Sequence, residues 1–235
     1  MKNLINAFID LFFPTFCVVC NNPITHQDNH ICEECLNLIK STKTLTDRCS
    51  VCSSPFEDGK CSFCTERKVY IDQNICCFDY DGAVKKLMGG YKFRGHKRIS
   101  KVFSLLFINT VVNIPKADII TSVPITKKKK WKRGYNQSQV FAKELGRHYR
   151  LKYLKLLKES KKTLVQHELN ITERFFNILG RYTVLNKSHV LRKTIILVDD
   201  VFTTGATVNE CARVLKEAGA EKVFSITMAR STIKK

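Results

Sequence analysis

Four closely spaced pairs of cysteines near the N-terminus constrain the fold of this 235-residue chain more than any other feature. A turn with two residues between the cysteines directs both sulfur atoms toward one point about 2.3 Å away, and two such turns complete a tetrahedral four-thiolate site for Zn2+. The eight cysteines therefore predict two structural zinc sites. The pairs are Cys17 and Cys20, Cys32 and Cys35, Cys49 and Cys52, and Cys61 and Cys64.

Spacing alone decides only part of how these pairs combine. Sequence order favours one site from the first two pairs and one from the last two, but a crossed arrangement has the same spacing. Disulfides are the alternative to metal, yet paired cysteines in a cytosolic chain more often bind metal. Because so short a segment has few other means of building a core, its folding and metal binding are expected to be coupled, while the rest of the chain stays largely intact without metal.

Residues 1–13 are mostly apolar with only Lys2 and Asp10 charged, but they are far fewer than the roughly 20 residues of a membrane helix. The cleavage site of a signal peptide is missing as well. Helical spacing of the apolar residues predicts a short amphipathic helix that packs on the rest of the molecule, with membrane-surface binding as the alternative. We therefore expect a cytoplasmic protein with no membrane span, in which a zinc-binding module over residues 1–66 precedes a second domain over residues 67–235.

The chain is strongly basic, with 40 Lys and Arg against 21 Asp and Glu and a formal net charge of +19. This excess favours polyanionic partners, although charge alone names none. Its densest part is residues 127–133, where an aromatic side chain lies among the cations in a mixture suited to phosphate neutralisation with base stacking. A solvated lysine-rich loop is the alternative, and both interpretations stay open. The candidate nucleic-acid contacts are Lys127, Lys128, Lys129, Lys130 and Trp131.

A short apolar run, two acidic residues and a threonine-rich turn follow one another from Thr194. Residues 195–198 suit a strand buried on both faces of a parallel sheet, and residues 208–218 continue with helical periodicity. The turn thus opens onto a helix N-terminus, where backbone N–H groups and the helix dipole favour a phosphate and a glycine lets the backbone approach it. The predicted phosphate-binding residues are Thr203, Thr204, Gly205, Ala206 and Thr207.

Asp199 and Asp200 stand at the end of the predicted strand, directly before this turn. Two carboxylates at that position can hold ribose hydroxyls or a hydrated Mg2+ above a bound phosphate. A generic strand-to-helix turn is the alternative, but it explains neither the repeated threonines nor both carboxylates.

Residues 196–207 resemble the phosphoribosyl pyrophosphate loop of type I phosphoribosyltransferases. Other runs resemble the ComF family more narrowly, above all Ser-Val-Pro at residues 122–124 and Arg-Gly-Tyr-Asn-Gln-Ser at residues 133–138. Residues 80–82, 92–95 and 162–177 and the paired cysteines match that family too, so the resemblance spans essentially the whole chain. It implies an α/β fold with a type I phosphoribosyltransferase-like parallel sheet and a small N-terminal module like a zinc ribbon.

The same resemblance implies a ligand and a function. It implies binding of phosphoribosyl pyrophosphate or a similar ribose 5-phosphate ligand with Mg2+, catalytic positions at Asp199 and Asp200, and a further ligand contact from Arg133. Members of the family are associated with natural competence, the handling of incoming single-stranded DNA. Because turnover does not follow from a fold, an active phosphoribosyltransferase of nucleotide salvage stays open, with no identifiable acceptor base. Contacts with competence or helicase proteins through the zinc module are a third possibility.

Overall fold

The computed structural model describes residues 15–24, 31–41, 48–54, 56, 59, 61–65, 67–93, 99–111, 113–160 and 178–231. The helix predicted over residues 1–13 lies outside these residues, as do Glu66 at the predicted module boundary and residues 162–177. Within the described residues, no helix has both the length and the apolar character needed to cross a bilayer.

Nine strands and seven α-helices are described. The strands are β1 (Thr15–Phe16), β2 (Pro23–Ile24), β3 (Gln73–Asp79), β4 (Ile119–Ser122), β5 (Lys152–Tyr153), β6 (Leu157–Glu159), β7 (Tyr182–Val184), β8 (Thr194–Phe202) and β9 (Lys222–Arg230). The helices are α1 (Glu33–Ser41), α2 (Ser62–Thr65), α3 (Gly82–Phe93), α4 (Ile99–Thr110), α5 (Lys127–Arg133), α6 (Gln137–His148) and α7 (Ala206–Glu217). A 3-10 turn covers Lys187–His189.

A five-stranded parallel sheet lies at the centre, with the strand order β3-β9-β8-β4-β5. Its middle strand, β8, is buried on both faces, because Ile196 and Val198 pack in one core with α6 whereas Ile195 and Leu197 pack in another with α7. Continuous apolar strands of this kind are typical of parallel sheets covered by helices on both sides. The predicted α/β fold with a doubly buried strand is confirmed.

The two cysteine-rich segments contribute to these same cores. Cys17 and Cys35 belong to the core that contains α3, α4 and α6. Cys49, Cys52 and Cys61 belong to the core that contains α7 and the opposite face of β8. The cysteine-rich segments therefore pack against both faces of the sheet, and the division of the chain at residue 66 stays a prediction.

Candidate ligand-binding site and metal centres

The carboxylates of Asp199 and Asp200, the acidic pair, are held near the C-terminal end of β8. Asp199 Oδ1 accepts hydrogen bonds from Ser138 Oγ at 3.0 Å and from the backbone N–H of Asp200 at 2.9 Å. Asp200 Oδ1 accepts one from the backbone N–H of Val201 at 2.8 Å. Both residues are half-buried, so the carboxylates are oriented by the protein and also reach the surface.

Residues 203–207, the phosphate loop, connect β8 to α7. Gly205 has φ +68°, in the left-handed region, and it precedes the first residue of α7 without a side chain to cap the helix. Thr204 Oγ1 accepts a hydrogen bond of 3.4 Å from the N–H of Ala206, and Gly205 O accepts one of 2.8 Å from Asn209. Ala206 is buried, Thr207 is half-buried and Thr203 is exposed. This arrangement brings backbone donors, hydroxyl groups and the positive end of a helix dipole together beside the acidic pair.

The run at residues 133–138 lies beside the same edge of the sheet. Asn136 Nδ2 donates to Val123 O at 2.9 Å, which fixes the start of α6 against the end of β4. Ser138 is buried in the first turn of α6 and reaches across to Asp199. Arg133 Nη1 donates to Gln137 Oε1 at 3.2 Å, so the predicted ligand contact Arg133 is bonded to the residue next to Ser138, which holds Asp199.

Residues 127–133 form the helix α5, and the interpretation of this run as a loop is wrong. Thr126 Oγ1 accepts from Lys129 N at 3.0 Å as an N-cap, and Gly134 ends the helix in the left-handed conformation. The predicted contacts Lys127, Lys128, Lys129 and Lys130 are exposed, and Trp131 is 90% exposed. An aromatic ring this open suits stacking and contributes little to the core.

The eight paired cysteines form two groups in sequence order, and the crossed arrangement is excluded. The first cluster is Cys17, Cys20, Cys32 and Cys35, and the second cluster is Cys49, Cys52, Cys61 and Cys64.

Within each cluster the Sγ atoms lie within 4.8 Å of one another. The sulfur atoms of Cys20 and Cys32 are 3.7 Å apart, as are those of Cys49 and Cys64. A tetrahedral Zn2+ site with about 2.3 Å bonds requires sulfur separations of about 3.8 Å, so both clusters fit the ion. Burial acts to raise the pKa of Cys17, but backbone N–H groups of Cys20, Cys32 and Val19 outweigh it and lower that pKa to about 7.

Comparisons with known proteins agree with this architecture. Models of the phosphoribosyl transferase domain and the double zinc ribbon domain match residues 127–235 and 8–68. Competence protein F of Haemophilus influenzae is 26% identical over 94% of this chain and 99% of its own length. DNA utilization protein YhgH of Escherichia coli is 26% identical over 91% of this chain and 96% of its own. Competence protein ComFC of Bacillus subtilis is 30% identical over 92% of this chain and 84% of its own. The chain belongs to the ComF family.

A solved structure of the allosteric regulatory enzyme of purine biosynthesis is also similar, at 19% identity and a TM-score of 0.37. The similar part covers 58% of this chain and 25% of that enzyme. A likeness this weak says nothing about function. The family membership and the two domain matches confirm the predicted fold class for this ComF-family chain, a phosphoribosyltransferase-like sheet with an N-terminal double zinc ribbon.

Sequence reasoning missed Arg230, the last residue of β9. Its side chain is buried and donates to Phe202 O at 2.8 Å, to Thr203 O and to Ser54 Oγ. It therefore joins the start of the phosphate loop to Ser54, two residues after Cys52 of the second cluster. The only sequence signal is a cation at the end of an apolar strand, which does not identify its partners.

The hydroxyl of Ser138 offers a direct test of how the acidic pair is held. Ser138→Ala is expected to weaken binding of phosphoribosyl pyrophosphate, the ligand that the sequence predicts, by about 10-fold or more, because a hydrogen bond to a charged group contributes about 1.5–3 kcal/mol. Calorimetry measures the affinity. Ser225→Ala is the matched control, since it removes another buried serine hydroxyl, bonded to Asn74 Oδ1 at 2.8 Å in the middle of β9. Equal affinities for the two variants would contradict a role for Ser138 at the site.

Proposed function

We propose that this ComF-family protein binds phosphoribosyl pyrophosphate or a related ribose 5-phosphate ligand and acts in the cytoplasm in the handling of single-stranded DNA during natural competence. The phosphate loop supports this ligand, because only two residues separate it from the acidic pair and it opens onto the N-terminus of α7. That helix end favours a bound phosphate, and the two carboxylates, which precede the loop in β8, suit the hydroxyls of the attached ribose.

Mg2+ is the cation that this arrangement suits. Hard cations prefer carboxylate and phosphate oxygens, and Asp199 and Asp200 supply two carboxylates beside the predicted position of the pyrophosphate. When bound, the ion neutralises pyrophosphate charge. The protein residues orient the sugar through the acidic pair and the 5-phosphate through residues 203–207.

Each cysteine cluster is proposed to hold one structural Zn2+. The supporting observation is four sulfur atoms per cluster at separations that fit a tetrahedral ion. Four thiolate ligands leave no open coordination position, so these ions hold the fold and take no part in phosphoribosyl chemistry.

Calorimetry with phosphoribosyl pyrophosphate, in the presence and absence of Mg2+, tests the ligand. We expect saturable binding that strengthens with Mg2+, and weaker binding of ribose 5-phosphate, which lacks the pyrophosphate. Absence of binding by both compounds would overturn the proposal.

An active phosphoribosyltransferase is the second candidate function, because both carboxylates are present where such enzymes stabilise charge on the ribose. The protein is incubated with phosphoribosyl pyrophosphate, Mg2+ and a panel of bases while pyrophosphate release is followed. Release that depends on one base identifies an enzyme of nucleotide salvage. Binding without release favours a role as a ligand-binding protein.

The exposed side of α5 is the proposed contact for single-stranded DNA. Its lysines can neutralise backbone phosphates, and Trp131 offers an open ring for stacking. The relatives named for competence and for DNA utilization support this role. Binding of competence or helicase proteins is compatible with it and is proposed as a further use of the zinc ribbons.

Replacement of Lys127, Lys128, Lys129 and Lys130 by alanine is expected to weaken single-stranded DNA binding and to flatten its dependence on salt. Each phosphate contact on a single strand contributes about 0.7 to the slope of log affinity against log salt, so the slope should fall by up to about 3. Trp131→Ala should cost about 1–3 kcal/mol per stacked base and keep that cost at high salt. Fluorescence titration at several salt concentrations measures both effects.

A second four-lysine variant controls for the change in net charge. All four of its lysines are exposed: Lys116, Lys152 and Lys222 lie at or just before the starts of sheet strands, and Lys187 lies in the 3-10 turn before β8. Their replacement by alanine removes the same charge. The slope of log affinity against log salt should then differ from the parent's by no more than about 0.7, the share of one phosphate contact. If both variants lose the same affinity, the interaction is unspecific attraction to a basic protein and α5 is not the site.

A further inference from the structure

We propose that Arg230 is a positioning residue that couples the second cluster to the phosphate loop, so that metal loss from the second cluster loosens residues 202–206 while metal loss from the first does not. The inference rests on the proposed function for its ligand, but the loop itself can be measured without one.

The side chain of Arg230 uses both of its terminal nitrogens at this junction. Nη1 donates to Phe202 O at 2.8 Å and also to Thr203 O, and these two carbonyls lead into the phosphate loop. Nη2 donates to Ser54 Oγ. The guanidinium lies over the ring of Phe202, with 4.5 Å between its central carbon and the ring centroid. A planar fork with several fixed donors can hold two segments in one geometry, which a lysine cannot do.

Ser54 lies two residues after Cys52 and continues the connection to the metal ligands of the second cluster. Cys52 Sγ lies 3.1 Å from Ser54 Oγ, and Cys52 is fully buried. Cys52 Sγ is in turn 3.3 Å from Cys61 Sγ. One serine hydroxyl therefore stands between a metal-ligating sulfur and the arginine that holds the loop.

Charge also links Arg230 to the second cluster. Arg230 is only 5% exposed, and a buried cation is costly unless an anion or full hydrogen bonding compensates it. Four thiolates around one Zn2+ carry a net charge of about −2, so a metal-loaded second cluster supplies a buried counter-charge. Without the ion, the four sulfur atoms are no longer held around one point, so Ser54 and the Arg230 side chain that donates to it lose a fixed position.

The chain directly after the second cluster adds further contacts to the same region. Arg67 Nη1 donates to Thr204 O at 3.4 Å. Asn209, in α7, donates to Lys68 O at 2.9 Å and accepts from the N–H of Tyr70 at 2.7 Å. The first cluster lies elsewhere, since Cys17 and Cys35 pack in the core with α3 and α4. Only the second cluster therefore has a described path to residues 202–206.

Amide hydrogen exchange of the ligand-free full chain tests the coupling. Arg230→Met is expected to speed exchange of the amides of residues 202–206 by about 10-fold or more, the equivalent of losing hydrogen bonds to a charged group. Its affinity for phosphoribosyl pyrophosphate should fall by a similar factor while its zinc content stays at the parent's value.

Arg48→Met is the matched control. Arg48 directly precedes Cys49 of the second cluster, its side chain is only 10% exposed, and it pairs with Asp79 on β3 at 2.7 Å. Arg48→Met should lose about as much stability as Arg230→Met does, but leave amide exchange of residues 202–206 unchanged. If Arg230→Met cannot be purified folded, Ser54→Ala replaces it, with the same local increase in exchange expected at smaller amplitude. Loop exchange that matches the parent in Arg230→Met or its replacement would overturn the coupling, as would an equal increase in Arg48→Met.

A pair of cysteine variants separates the two clusters. Cys64→Ser removes a ligand of the second cluster and Cys20→Ser removes one of the first, and each should lower the zinc content. Faster exchange of residues 202–206 is expected in Cys64→Ser alone. Equal loop exchange in the two variants would overturn the proposal. If the parent fails to bind phosphoribosyl pyrophosphate, the proposed function is wrong, yet the exchange pattern still decides the coupling.

Discussion

Gly205→Val is expected to lower the affinity for phosphoribosyl pyrophosphate by at least about 100-fold, which makes binding undetectable in an ordinary titration. Gly205 has φ +68°, a conformation that a β-branched residue adopts only under strain of about 1–3 kcal/mol. A side chain at this position also blocks close approach of the backbone to a phosphate at the N-terminus of α7. Calorimetry with Mg2+ measures the loss, and circular dichroism shows whether the fold survives.

The opposite end of α7 provides a control for strain without ligand contact. Gly219 has φ +94°, and a Cβ there would lie 2.7 Å from Leu191 Cδ1, so Gly219→Ala should lower stability. Its affinity for the ligand should match the parent's. Thr204→Val, which removes only a hydroxyl from the loop, should weaken binding in the same direction as Gly205→Val. If Gly205→Val binds as the parent does, the phosphate position has been assigned to the wrong place.

The central strand and its loop could be predicted because their signals are local. Residues 195–198 are continuously apolar, and they are buried on both faces of the sheet. The glycine before α7 occupies the left-handed position that a tight strand-to-helix connection needs. The two cysteine clusters were also predictable, since pairs close in sequence reach one ion with the shortest loops.

The helix α5 shows where local signals conflict. Adjacent lysines repel one another and suggest a solvated loop, and a helix of seven residues is marginal by itself. Thr126 and Gly134 are nevertheless a recognisable N-cap and C-terminal stop. The bond from Asn136 to Val123 O fixes the following turn against the sheet. The capping residues could have indicated the helix, whereas that anchoring contact could not be foreseen.

The junction at Arg230 could not be predicted because its partners are distant in sequence. Ser54 is 176 positions away from Arg230 along the chain. No periodicity or spacing relates residues that far apart, and only the pairing of β9 with β8 brings Arg230 opposite Phe202. Contacts of this kind depend on topology, so a sequence can predict the phosphate loop without predicting what holds it.

Removal of metal is expected to lower the thermal stability of the protein strongly. The parent, purified without chelator, should contain about two zinc atoms per chain, and a strong chelator should lower the melting temperature by at least about 10 °C. Structural zinc contributes about 10–16 kcal/mol to the folding of isolated zinc modules, and each kcal/mol shifts the melting temperature of a chain this size by about 2–4 °C. Metal analysis and thermal denaturation measure the two quantities. Fewer than one zinc per chain, or a set of native disulfides, would contradict the assignment.

The extent of unfolding after chelation shows whether the cysteine-rich segments form a separate module, as the sequence suggests, or share their cores with the sheet, as the structure indicates. A separate module would unfold alone after chelation and leave the sheet and its helices intact. The cores are shared, however, since Cys35 packs with α3 and α4 while Cys52 packs with α7 and β8. Loss of both ions should therefore loosen both faces of the sheet, with added Zn2+ restoring the parent melting curve. Hydrogen exchange of β8 unchanged by chelation would show instead that the zinc ribbons unfold independently, as the sequence alone suggests.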